Sequence, residues 1–219
     1  MLGVSELQRY RQEGAGEGKE TLMGKPPGEP KSPSAAKGTG KKSKKPTMTL
    51  AALGEGMPGL TPVSGLRMAE AAAVCFENEK HQAGVRVLKA GLVPEDFHVE
   101  WPPVDDQQRR CYADMQEATE SGASGVAILV VKEMTGLVVV ERSRKMTGFD
   151  YWLGEKDYEG LPFAGNRRLE VSGILTGTKA QLDARVRQKK DQLKPTDHVA
   201  PGLVAVIEFG TPIACVESK

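Results

Sequence analysis

Two acidic residues, Asp150 and Glu170, define the chemistry within reach of this sequence. Each sits in a short run of strand character, Gly148-Phe149-Asp150 and Leu169-Glu170-Val171-Ser172. If these runs are neighbouring antiparallel strands, and both side chains point to a face not packed on a helix, the carboxylates form half of an oxygen-rich shell. Mg²⁺ or Mn²⁺ favours such a shell when water and a substrate phosphate complete it. A cation held there can activate water against a phosphodiester. A further carboxylate, Glu120 or Glu117, stands on the preceding helical stretch and would approach from above. Downstream, the segment from Thr178 to Lys194 carries Lys179, Arg185, Arg187, Lys189, Lys190 and Lys194 against Asp183 and Asp191, a net of +4. That surplus suits contact with nucleic-acid phosphates, and it also suits an ordinary solvated helix face.

Other chemistries find less support. Cys75, Cys111 and Cys215 are odd in number and far apart, which excludes a disulfide framework and a CxxC metal knuckle. His81, His98 and His198 form no HxH or HExxH spacing. Ser121, Ser124 and Ser172 have no histidine near them in sequence to act as base. Gly122-Ala-Ser-Gly125 follows no strand and precedes no GK[ST], so it does not read as a phosphate-cradling loop. Tyr151 and Trp152 flank Asp150 and could stack on a base, although a strand tryptophan is more often core. Glu141 and Arg142 read as a cross-strand ion pair rather than as catalytic groups.

The elements that must position these residues are legible as patterns. Residues 65–81 are rich in helix formers, with Ala69, Ala72, Ala73 and Phe76 on one face. Weak alternation over 84–92 and a clearer one over 97–101 predict a hairpin or edge strand. Asp105 and Asp106 open a helical stretch that runs on through Cys111, Met115 and Ala118 to Met134, as two helices or as one kinked at Gly122 and Gly125. Strands follow at 137–141, 149–153 and 168–174. Thr178 and Gln181 form a capping box for a helix with Leu182, Val186 and Leu193 as its apolar stripe, stopped by Pro195. The run 203–207 is a strand buried on both faces.

This order, with Asp150 at the start of the second strand and Glu170 within the third, resembles the PD-(D/E)xK nuclease superfamily over residues 105–209. The resemblance implies an α/β fold with a mixed sheet and an αβββαβ restriction-endonuclease-like core. It also implies a divalent cation on Asp150 and Glu170, Glu120 or Glu117 as helix acid, and cleavage of DNA or RNA backbones, DNA being the favoured partner. The family's lysine falls at Ser172, which supplies a hydroxyl and no charge. Either the positive charge comes from elsewhere, with Arg168, Lys179 or Arg185 as sources, or the chain is a catalytically inactive relative that binds nucleic acid or a protein partner. An unrelated α/β binding protein, in which Glu170 merely pairs with Arg168 or Arg142, is the remaining reading.

Composition frames these expectations. Of 25 Gly and 14 Pro, 12 and 7 lie in the first 65 residues, a stretch expected to form no core. A disordered basic tail over 1–60 and a single domain over 61–219 follow. The formal net charge of +1 averages a +5 segment, residues 1–50, and a −4 remainder. Within the tail, Lys37, Lys41, Lys42, Lys44 and Lys45 cluster among small polar residues. Such a cluster serves as a nucleic-acid arm or as a solubilising linker, and the lack of interleaved aromatic residues favours the linker. No apolar run reaches the length of a membrane span and no secretory leader is visible, so a soluble, cytoplasmic protein with no membrane partner is expected. A homodimer is compatible with the sequence.

Overall fold

The computed structural model describes residues 45–157 and 166–219. They belong to one compact unit, Ser43–Lys219. The fold is α/β, with an eight-stranded mixed sheet. The chain begins this body with β1 (Thr47–Thr49) and a 3-10 helix (Leu50–Glu55), followed by α1 (Pro62–Asn78), β2 (Val85–Gly91) and β3 (Phe97–Glu100). Then come α2 (Asp106–Cys111), α3 (Met115–Thr135), β4 (Val138–Arg142), β5 (Tyr151–Gly154), β6 (Arg167–Ile174), α4 (Lys179–Leu193), β7 (Gly202–Glu208) and β8 (Ile213–Ser218). The strand order across the sheet is β1-β3-β2-β8-β7-β6-β5-β4.

The boundary expected near residue 60 falls earlier. β1 pairs with β3, and Leu50 and Leu53 are buried in the main core, so residues 47–60 are part of the body. Of the clustered lysines only Lys45 lies among the described residues, where its Nζ pairs with Asp96 at 3.0 Å. The rest of the basic tail lies outside them, as do residues 158–165.

Local sequence accounts for the helices. Thr61 caps α1 by accepting from the Ser64 amide, with Pro62 in the first turn. The long helical stretch divides at Asp114, not at the glycines. Its carboxylate accepts from the Gln116 and Glu117 amides and starts α3 afresh. Gly122 lies inside α3 because α1 presses on it, and a Cβ there would come 2.8 Å from Ala72 Cα. The predicted capping box of α4 forms: Thr178 accepts from the Gln181 amide, and Gln181 accepts from the Thr178 amide. Leu182, Val186 and Leu193 are buried, as their spacing predicts.

Two apolar layers enclose the sheet. α1 and α3 share one core with Tyr151, Leu169, Val171, Leu203 and Ala205, while α4 buries Leu182, Val186 and Leu193 against Trp152, Val204 and Val206 on the other side. The period-two alternation of β6 therefore points Leu169 and Val171 toward α3, and Arg168, Glu170 and Ser172 toward α4. β4, β5 and β6 form an antiparallel meander, and α4 crosses over to bring β7 parallel to β6. β8, which no sequence pattern predicts, enters between β7 and β2 and joins the N-terminal hairpin to this core.

Candidate active site

β5 and β6 part company where the acids lie. Their ladder ends at the pair Tyr151 and Leu169. Just before the strand, the Asp150 amide donates to Leu169 O at 2.9 Å, and Asp150 O accepts from the Ser143 amide at 2.8 Å. Beyond that point the Val171 amide faces the widening gap, and Asp150 Oδ2 accepts from it at 2.8 Å. The side chain thus takes the place of the departed strand, satisfying a backbone donor that would otherwise stand unpaired. Opposite, Gly173 lets β6 lie hard against α3, since a Cβ there would come 2.5 Å from Thr119 O.

Glu170 is the next residue along β6 and is only 2 % exposed. Its Oε1 accepts from Lys189 Nζ at 2.6 Å, and its Oε2 is buried without a hydrogen-bond partner. Burial raises the Glu170 carboxyl, the neighbouring Asp150 charge raises it further, and Lys189 opposes both, leaving it at about 7. The two carboxyls lie near enough for the Asp150 charge to act on Glu170, which sits on a covered side of the sheet. That side is the one α4 covers, not an uncovered face, and Lys189 offsets part of the desolvation this imposes.

The cations arrive by a match of two periodicities. Four residues of helix rise about 6 Å, and two residues of strand advance about 6.6 Å. α4 runs back over β6, so successive helix turns meet alternate strand residues. Arg185 Nη1 donates to Ser172 Oγ at 2.7 Å, and Lys189 meets Glu170. One turn further, the Leu193 carbonyl accepts from Arg168 at 3.0 Å. Arg168 is 1 % exposed and also donates to Ala200 O and Thr196 Oγ1, and it pairs with Asp197. It fastens the end of α4 to the sheet and does not supply charge at Ser172. Nor does Lys179, whose ammonium pairs with Asp183 on the exposed side of the helix.

The expected phosphate-contacting set therefore divides. Arg185 and Lys189 line the cleft. Lys190 turns to Glu217 at 2.5 Å, and Arg187 is exposed and does not line the cleft. The cleft has a volume of about 900 Å³ and runs from Asp150 toward α3 and the start of α1, while the buried Glu170 does not line it. Glu120 stands on its wall, accepting from Gln116 Nε2 at 3.2 Å. Glu117 is taken by Arg67 at 2.5 Å. Among the described residues no group of three or more His, Cys, Asp and Glu side chains gathers around one point. The pair Asp150 and Glu170 thus stands without a helix acid. One cleft residue escaped the sequence reading. Arg67 offers no spacing signal. Arg142 lies opposite Tyr151 in the β4–β5 ladder, its guanidinium 5.4 Å from the ring centre, and forms no ion pair with Glu141. Tyr151 and Trp152 are both buried, the latter edge-on to Phe149 in the α4 core.

The arrangement can do three things. Hard oxygen donors with one buried, unsatisfied oxygen fit a divalent cation of the Mg²⁺ or Mn²⁺ type. Arg185 and Lys189 can balance negative charge within the same cleft. Arg142 and Arg67 extend that positive lining along the wall. No helix among the described residues is long and apolar enough to cross a membrane. Set against known proteins, the chain matches no family model, no curated protein and no solved structure.

Proposed function

We propose that this protein is a metal-dependent nuclease-like enzyme hydrolysing phosphodiester bonds of nucleic acid, with Asp150 and Glu170 as the ligands of Mg²⁺ or Mn²⁺. The observation that carries this reading is the buried, partnerless Glu170 Oε2 beside Asp150, with Lys189 and Arg185 set over the two strand positions where acid and charge are needed. The sequence α3, β4–β5–β6 meander, α4 and parallel β7 supports the restriction-endonuclease-like core that the sequence resembles. When bound, the cation would polarise a phosphoryl oxygen and lower the pKa of a water. The chain's own groups do the rest. Asp150 is oriented by the Val171 amide. Arg185, held by Ser172 Oγ, presents a fixed guanidinium that stabilises charge as it develops on the phosphate, the task left open by a serine at that position.

Purified protein incubated with single-stranded and duplex DNA and with RNA, with Mg²⁺, Mn²⁺ or chelator, tests this. Metal-dependent cutting should fall by at least about a hundredfold in Asp150→Ala and Glu170→Gln. Cutting that survives both substitutions refutes the assignment. Nucleic-acid binding with no cutting under any metal would place the protein among non-catalytic subunits, the outcome to which the serine at 172 gives weight.

A further inference from the structure

Lys189 occupies the position of a cation. Its ammonium lies 2.6 Å from Glu170 Oε1, its side chain is 19 % exposed, and Glu170 is closed off from water. The ionised form of a buried carboxyl is stabilised by a positive partner, and here the partner is a long, flexible chain on a separate element. The second anchor of Lys189 is weaker: Nζ donates to Gln192 Oε1 at 3.2 Å, on the exposed side of the same helix. Glu170 Oε2 is left without a partner, so a single monovalent ammonium does not satisfy the carboxylate.

We infer that Lys189 is an exchangeable counter-ion of the carboxylate pair, displaced from Glu170 when a divalent cation binds and thereby freed to contact a substrate phosphate in the cleft. This rests on the metal-dependent reading above and adds to it an order of events. In the metal-free protein the lysine neutralises Glu170, so its ammonium is not available to an anion. Once a divalent ion provides the charge, Lys189 faces like charge at Glu170 and open cleft on its other side, which it lines together with Arg185. Metal loading and phosphate capture are then coupled through one side chain. Lys189 is on this account a positioning and substrate-binding residue and not a ligand.

The test is Mn²⁺ binding by calorimetry to the full chain, without substrate, in wild type, Lys189→Met, Lys189→Gln and Lys189→Arg. Gln keeps a donor for Glu170 Oε1, so it provides a reading even if the Met variant fails to fold. Removing a competing charge should tighten Mn²⁺ binding by about tenfold in the Met and Gln variants, while Arg, which keeps the charge, stays near wild type. In the same variants, affinity of the metal-loaded protein for a short non-cleavable oligonucleotide should fall, by about fivefold or more. Met and Gln variants that bind Mn²⁺ no tighter than a binding-competent wild type overturn the exchange. Absence of Mn²⁺ binding in every protein, wild type included, instead overturns the metal reading beneath it.

Discussion

Glu170 is held at the balance point of opposing effects, and its pH behaviour follows from them. Burial and Asp150 favour the neutral acid, and Lys189 favours the anion, so the group titrates near 7 and not at its ordinary 4.5. Between these values the folded chain holds a proton that the unfolded chain has lost. The stability linked to this group is therefore greatest at acid pH, declines as pH rises from about 4.5 to about 7, and is level above. Denaturant midpoints of wild type and Glu170→Gln, compared without metal at about pH 5 and about pH 8, should show wild type losing stability relative to the variant. Parallel behaviour of the two proteins would refute the assignment of this titration to Glu170. At this scale the acids were legible in the sequence, because strand type and spacing placed them side by side. Their covering by α4 was not, since the reading assumed that carboxylates avoid a helix-packed face and gave Lys189 to a substrate phosphate, not to Glu170.

The elements show why the charge could leave the strand. A helix packed antiparallel on a strand repeats its contacts at four residues where the strand repeats at two, so Arg185 and Lys189 stand in step with Ser172 and Glu170. That correspondence is present in the sequence once the crossover is assumed, and it separates Arg185 and Lys189 from Arg187 and Lys190. α4 itself was legible from its capping box and its apolar stripe. Of the two forms the sequence left open for the stretch after Asp105, two helices hold, and the glycines leave no kink because Gly122 and Gly125 serve the close packing of α3 on its neighbours. β8 went unread because its apolar stretch is short and its partners, β2 and β7, are chosen by tertiary pairing. Since α4 delivers both cations, its N-terminal cap bears on the site. Thr178→Ala should lower stability by about 1 kcal/mol, read from urea denaturation, with circular dichroism confirming an otherwise native fold. An unchanged midpoint would show that the cap contributes nothing.

Across the whole molecule the site and the scaffold draw on different parts of the chain. The acids and their cations fall between Arg142 and Lys189, with Arg67 as an outlier, whereas the sheet is closed by segments far apart in sequence, such as Leu88 beside Ile213. The N-terminal strand and 3-10 helix bury Leu50 and Leu53 at 1 % and 0 % exposure. A chain trimmed to begin at residue 61 should therefore be destabilised by several kcal/mol, about 3 for each buried leucine lost, and should melt well below the full chain. Equal melting temperatures would show that residues 45–60 are dispensable. The central place of β8 has a consequence for synthesis. During translation β2 and β7 emerge first, each with one edge awaiting a strand that the ribosome has not yet released. β7 is buried along its entire length in the finished sheet, so the nascent chain carries an exposed, adhesive ribbon until β8 appears. A premature stop before Ile213 removes the middle of the sheet, and its expected fate is aggregation in place of a slightly shortened protein.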